Sequence, residues 1–141
     1  MKHWLVGLCI AAALPLLART PNFTGQWKLN ETLAQGSNHH GTVYVIEHNE
    51  PKFRYSATGT AGYAGRIQES YEFTTDGKYD SETGKLKMAG QWEGPVLLMR
   101  LMKGPQELIR MRFRLTEDGK QMIREISLPN GRQVKEVYDR Q

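Results

Sequence analysis

Turn-forming residues break this chain too often for helices to form between them. From Thr42 onward the breaks fall at Asn49-Glu50-Pro51, the glycine-rich stretch 59–65, Asp76-Gly77, Glu93-Gly94-Pro95, Gly104-Pro105, Asp118-Gly119 and Pro129-Asn130-Gly131. A break about every 10 residues is the rhythm of an antiparallel barrel or sandwich. The runs between the breaks alternate. In Leu108–Leu115 the apolar Ile109, Met111, Phe113 and Leu115 share one parity, and Arg110, Arg112 and Arg114 share the other. Successive side chains of an extended strand point to opposite faces, so each run has an apolar and a polar side.

The predicted strands are 23–30, 42–48, 52–58, 66–74, 85–92, 96–103, 108–115, 120–128 and 132–138, with a short further one at 78–80. The loop from Glu31 to Gly41 has room for a single helical turn at 31–35 and for no helix pair. Short connections make sequential neighbours pair antiparallel. The fold class is therefore all-β, an up-and-down meander of about 8–10 strands. A long open meander exposes two unpaired edges, and closing it into a barrel removes them.

The 141 residues suffice for one domain. Charged residues make up 24% and hydrophobic ones 39%, a globular balance. The formal charge of +4 favours anionic neighbours without specifying nucleic acid. Residues 1–18 have the pattern of a signal peptide: basic Met1-Lys2-His3, an uncharged apolar run from Trp4 to Leu17, and small Ala18 at the cleavage point. The run, at about 14 residues, is shorter than the roughly 20 needed to span a bilayer. The expected product is a secreted or periplasmic domain over 19–141, monomeric and without an integral membrane span. Cys9 is the only cysteine and lies in the apolar run behind Leu8, a poor context for lipidation. Cleavage would leave no thiol, and hence no disulfide, thiolate nucleophile or cysteine ligand.

The first predicted strand, Phe23-Thr24-Gly25-Gln26-Trp27-Lys28-Leu29-Asn30, places Phe23, Gly25, Trp27 and Leu29 on one face. Gly25 leaves space for another segment beside the indole. Gly25-Gln26-Trp27 resembles the opening strand of the calycins: the lipocalins, fatty-acid-binding proteins and avidins. That resemblance implies that Trp27 closes one end of a barrel and that a basic residue of the last strand packs across it. Arg132, Lys135 and Arg140 are the candidates. The chain also resembles small exported bacterial proteins described as lipocalin-like, whose Asp-Gly-Lys hairpins recur here as Thr75-Asp76-Gly77-Lys78 and Glu117-Asp118-Gly119-Lys120. It departs from fatty-acid-binding proteins in lacking room for a helical lid between Asn30 and Thr42, and from many secreted lipocalins in lacking disulfides.

No catalytic constellation stands out. Gly-x-Ser-x-Gly, phosphate-loop and His-Glu-x-x-His patterns are missing, so neither an enzyme nor a cofactor is expected. His39-His40 point opposite ways in an extended segment and have no third ligand, so they read as solvated loop histidines rather than a metal site. His48 reads as a strand-end residue at a rim. The predicted inward set is Trp27, Tyr44, Ile46, Phe53, Tyr55, Tyr71, Phe73, Met88, Trp92, Leu97, Met99, Met111 and Phe113. An eight-stranded barrel is just wide enough to be filled by its side chains or to hold one small ligand. Three charges share inward parities: Glu69 with Ile67, Tyr71 and Phe73; Arg124 with Met122, Ile126 and Leu128; Glu136 with Val134 and Tyr138. A buried charge needs a partner. These three either read a ligand's head group, lie near the rims, or meet in an internal ion pair.

The expected function is binding of a small apolar or amphipathic molecule inside the barrel, without catalysis. The expected ligand set is Tyr44, Tyr55, Glu69, Tyr71, Met88, Trp92, Met99, Met111 and Arg124, with Gly25 and Trp27 closing the barrel. The alternative is an envelope interaction module acting through its outer arginine row, Arg110, Arg112 and Arg114, joined by Arg100. No aromatic residues interleave that row, so no nucleic-acid partner is expected.

Overall fold

The computed structural model describes residues 20–79 and 85–141. The expected signal peptide 1–18, with Cys9, lies outside the described residues, and so do Asp80, the end of the short strand predicted at 78–80, and residues 81–84. No helix among the described residues is long and apolar enough to cross a membrane.

Nine strands follow one another: β1 Gly25–Leu29, β2 His39–Asn49, β3 Lys52–Ala61, β4 Gly65–Thr74, β5 Leu86–Glu93, β6 Val96–Lys103, β7 Gln106–Leu115, β8 Gln121–Ser127 and β9 Gln133–Arg140. They form a single antiparallel sheet in the order β4-β3-β2-β1-β9-β8-β7-β6-β5. The last strand pairs with the first, placing Trp27 opposite Arg140 and Leu29 opposite Tyr138. The result is a nearly closed, calycin-like meander barrel. Sequential strand pairing fails once, between β4 and β5; among the described residues the backbone is linked across this seam by the Asp76–Gln91 bridge and a hydrogen bond from the Gly77 amide to the Gly90 carbonyl, 2.8 Å. β4 is an edge strand studded with Arg66, Gln68, Glu69 and Glu72, the polar decoration that keeps exposed edges from pairing.

The single turn expected at 31–35 is present and goes no further: the amides of Leu33 and Ala34 both donate to the Asn30 carbonyl, and Gln35 then bridges to Lys135 of β9. One local expectation differs from the structure. Lys78 and Tyr79 form no strand.

Alternation is obeyed where it was clearest. Trp27 and Leu29 are buried while Gln26 and Lys28 are exposed. In β7, Met111 and Phe113 are buried and Arg110, Arg112 and Arg114 lie on the other face at intermediate exposure. The core gathers Phe23, Trp27, Phe53, Phe73, Leu97, Met99 and Phe113 toward one end of the barrel. Each fully buried large apolar side chain contributes about 1.5–3 kcal/mol from area burial. Phe53 links the rings, stacking on Phe73 at 4.9 Å and meeting Phe23 edge-on at 6.0 Å.

Candidate functional site

The aromatic end is sealed. Trp27 is fully buried, and its Nε1 donates to the Phe23 carbonyl at 2.9 Å. Arg140, of the three candidates, covers it: its guanidinium carbon is 4.2 Å from the ring centroid. Arg140 also donates to the Thr24 and Gly119 carbonyls at 2.9 and 3.0 Å. Arg132 instead reaches the Gly36 carbonyl at 2.7 Å, on the other side of the barrel. Gly25 has a φ of +147°, and a Cβ there would lie 2.9 Å from Arg140 Nη1.

His48 belongs to this plug rather than to an exposed rim. Its Nδ1 accepts from the Phe23 amide at 3.2 Å, so Nε2 carries the proton and donates to Glu50 Oε1 at 2.6 Å. Trp92 Nε1 and Thr75 Oγ1 donate to the same carboxylate at 3.0 and 2.6 Å. Burial raises the Glu50 pKa, and the bonds from Thr75, His48 and Trp92 more than offset it. Trp92 also stacks on Phe23, with centroids 6.1 Å apart.

Away from the plug the barrel interior opens into a cavity of about 280 Å³. That volume is close to the lower bound of ligand pockets, which run from roughly 300 to 1,000 Å³. Of the residues predicted to line a site, Tyr55, Glu69, Tyr71, Met88, Met111 and Arg124 do so. Tyr44, Met99 and Trp92 do not: Tyr44 packs edge-on against Tyr138 at 5.0 Å, Met99 is fully buried in the core, and Trp92 sits in the plug. Leu101, Ile109, Ile126 and Val134 complete the apolar wall, and the segment Gly36–His39 forms part of the mouth.

Arg124 and Glu136 meet as an internal ion pair. Arg124 Nη1 donates to Glu136 Oε1 at 2.7 Å, with the carboxylate fully buried and the guanidinium nearly so. Cross-strand pairing of Arg124 with Glu136 sets this contact. Arg124 Nη2 donates to Met111 Sδ at 3.1 Å, and the guanidinium lies 5.5 Å from the Tyr44 ring centroid and 5.9 Å from that of Phe113. The second carboxylate oxygen accepts from Ser37 Oγ at 2.8 Å and has His39 Nδ1 at 2.9 Å. Burial pushes the Glu136 pKa up, but the His39 ring, the Arg124 charge and Ser37 outweigh it and hold the carboxyl at about 2. Burial drives the hydroxyls of Tyr44, Tyr55 and Tyr138 well above the ordinary phenol range, so they stay neutral.

His39 corrects the loop reading: it opens β2 and reaches the cavity. The register of β2 shifts between His40 and Val43, where Gly41 and Thr42 stand against Gly59. Gly41 adopts φ +56°, the left-handed conformation of a glycine bulge. The bulge reverses parity, sending His39 inward and His40 outward to Glu31 at 2.6 Å. No group of three His, Cys, Asp or Glu side chains that could hold a metal ion occurs among the described residues.

On the outer face, Arg110 is held by Glu107 at 2.6 and 2.9 Å, and Arg114 lies 3.6 Å from Glu125. Arg110 and Arg114 of the row thus have carboxylate partners.

No protein-family model and no curated protein matches the chain. Solved structures with the same fold include wild-type fluorescent protein UnaG, at 11% identity and a TM-score of 0.62, covering 84% of this chain and 97% of that one. Fatty-acid-binding protein 1 of Echinococcus granulosus aligns at 10% identity and a TM-score of 0.58, covering 84% of this chain and 96% of that one. At these identities the likeness is one of fold.

Proposed function

We propose that the chain is an exported, non-catalytic carrier that holds one small apolar or amphipathic molecule inside its barrel. The observation that carries this reading is the 280 Å³ cavity, walled by Met88, Met111, Ile109 and Ile126 and provided with polar groups at Tyr55, Glu69 and Arg124. A concave apolar site with a few convergent polar groups is the usual form of a small-molecule site. The aromatic plug supports a single-mouthed container. A fatty-acid-binding protein with the same fold supports the ligand class. Export is inferred from the pattern of residues 1–18. Absence of catalysis is inferred from the sequence, which carries no nucleophile, phosphate-loop or metalloprotease pattern. Two members of the outer arginine row, Arg110 and Arg114, are already paired with Glu107 and Glu125, which gives the surface-partner alternative less support.

The test is native mass spectrometry of protein purified without detergent, alongside titration with the neutral dye N-phenyl-1-naphthylamine. Saturable dye uptake at one site per chain is expected, with competition by any molecule that copurifies. A protein that leaves the dye dark and carries no extra mass would overturn the carrier reading.

A further inference from the structure

The charges facing the cavity differ in whether they are already matched. Arg124 is bound to Glu136 at 2.7 Å, and Glu136 is further enclosed by Ser37 and His39. Arg132 is turned to the Gly36 carbonyl. Glu69 makes no ion pair or hydrogen bond to another described side chain. It stands on β4 opposite Ala57, whose small side chain leaves the space above it open. Two residues along, Tyr71 faces Tyr55 across the same strand pair, with ring centroids 5.4 Å apart and planes at 37°. Glu69 and both rings line the cavity, and Tyr71 is 37% exposed, which puts the group at the mouth.

Tyr55 is buried, with the rings of Tyr44 and Tyr71 packed on it, so the exposed Tyr71 ring is the one a ligand meets. An unmatched carboxylate beside an accessible phenol ring suits a cation: the charge attracts the ion and the ring stabilises it through its quadrupole. We propose that this cavity selects an amphipathic cation, an alkyl ammonium or quaternary ammonium whose nitrogen sits between Glu69 and the Tyr71 ring while its apolar body enters against Met88, Met111 and Ile126. The proposal rests on the carrier reading and specifies its ligand. An anionic head group is disfavoured by the same geometry. To reach Arg124 it must displace Glu136, leaving a fully buried carboxylate without its counter-ion. Alternatively it must share Arg124 with Glu136 and lie in the field of two carboxylates.

The experiment uses the purified protein loaded with N-phenyl-1-naphthylamine at pH 7 and displaced in parallel by dodecyltrimethylammonium, dodecanoate and dodecanol, each below its micellar concentration. The ammonium is expected to displace the dye about tenfold more effectively than dodecanoate, the joint size of an exposed ion pair and a cation–ring contact. Glu69→Gln should bring the two within about twofold of each other, and Tyr71→Leu should reduce the preference in the same direction. Dodecanoate equal to or better than the ammonium, with the dye bound, would overturn the cation assignment and leave the carrier reading standing. A preference that survives both substitutions would overturn it too. Failure of the dye and of all three competitors to bind would remove both readings.

Discussion

The Arg140 guanidinium lies over the Trp27 ring, 4.2 Å from its centroid, while its nitrogens bind the carbonyls of Thr24 and Gly119. One side chain thereby joins the chain's last strand to its first and to the β7–β8 turn. The cross-strand pairing of Trp27 with Arg140 fixes the contact. Arg140→Ala should lower stability by about 1–2 kcal/mol, since the site is exposed, and Trp27→Ala by about 3–5 kcal/mol, since the ring is fully buried. Urea denaturation measures both. Arg140→Lys should recover only part of the loss, because an ammonium cannot stack while serving two carbonyls in fixed directions.

The β4–β5 seam depends on Gly90. A Cβ there would lie 2.7 Å from Phe73 Cε2 and 2.8 Å from the Thr74 carbonyl oxygen. The ring can swing aside at a cost, but the backbone oxygen is held by the strand. Gly90→Ala should therefore destabilise by about 1–3 kcal/mol through overpacking. It should also speed hydrogen exchange at the Gly77 amide, whose bond to the Gly90 carbonyl is one of the few links across the seam. An unchanged urea midpoint would mean that the seam yields freely.

Which of these features can be read from sequence depends on their range. Trp27, Met111 and Phe113 announce their burial through alternation, because each strand face is set within a few residues. Arg140 was one of three basic candidates, and choosing it required the β1–β9 register, a contact between the two ends of the domain. Glu69, Arg124 and Glu136 share inward parities, yet parity does not say that Arg124 and Glu136 meet and Glu69 stands apart. His39 was hidden for a different reason. Carrying the alternation of Tyr44, Ile46 and His48 back along the strand puts His40 inside. The bulge at Gly41 inverts that count, and Gly41 was the only local sign of it. The gap between β4 and β5 left a trace in the chain only as a longer connection, residues 75–85.

Glu136 should give the protein a specific acid sensitivity. Its folded pKa, about 2, lies below the ordinary 4.5, so the ionised form stabilises the fold. That contribution is complete above the unfolded value and is lost as pH falls toward 2. It amounts to roughly 3 kcal/mol. Glu136→Gln should be less stable than the parent at pH 7, and the difference between the two should shrink steadily from pH 5 to pH 2. Thermal unfolding across that range checks the sign; a difference independent of pH would show that the carboxylate gains nothing from His39, Arg124 and Ser37.

The ion pair itself can be separated from its setting. Arg124→Met leaves Glu136 buried without its counter-ion and should cost about 3–5 kcal/mol. Replacing both, Arg124→Met with Glu136→Leu, removes both desolvation penalties and should restore most of that loss. A double-mutant cycle in urea reads the coupling directly. If the double variant is no better than the singles, the pair is needed for its geometry around Ser37 and His39 rather than for its charge balance.

Filling the cavity distinguishes space that holds a ligand from space that is merely unoccupied. Ile126 lies on β8 in the cavity wall, beside the floor formed by Arg124 and Met111. An indole at this position enters a volume of about 280 Å³ that no side chain uses. Ile126→Trp should thus shift the urea midpoint little, because nothing is displaced, while lowering naphthylamine-dye affinity at least about tenfold. Val45, outward-facing and 46% exposed, supplies the control. Val45→Trp adds the same ring to the opposite face of the sheet and should leave dye binding as it is. Loss of binding in Val45→Trp alone would place the dye on the outer surface, and retention in both variants would place it somewhere other than this cavity.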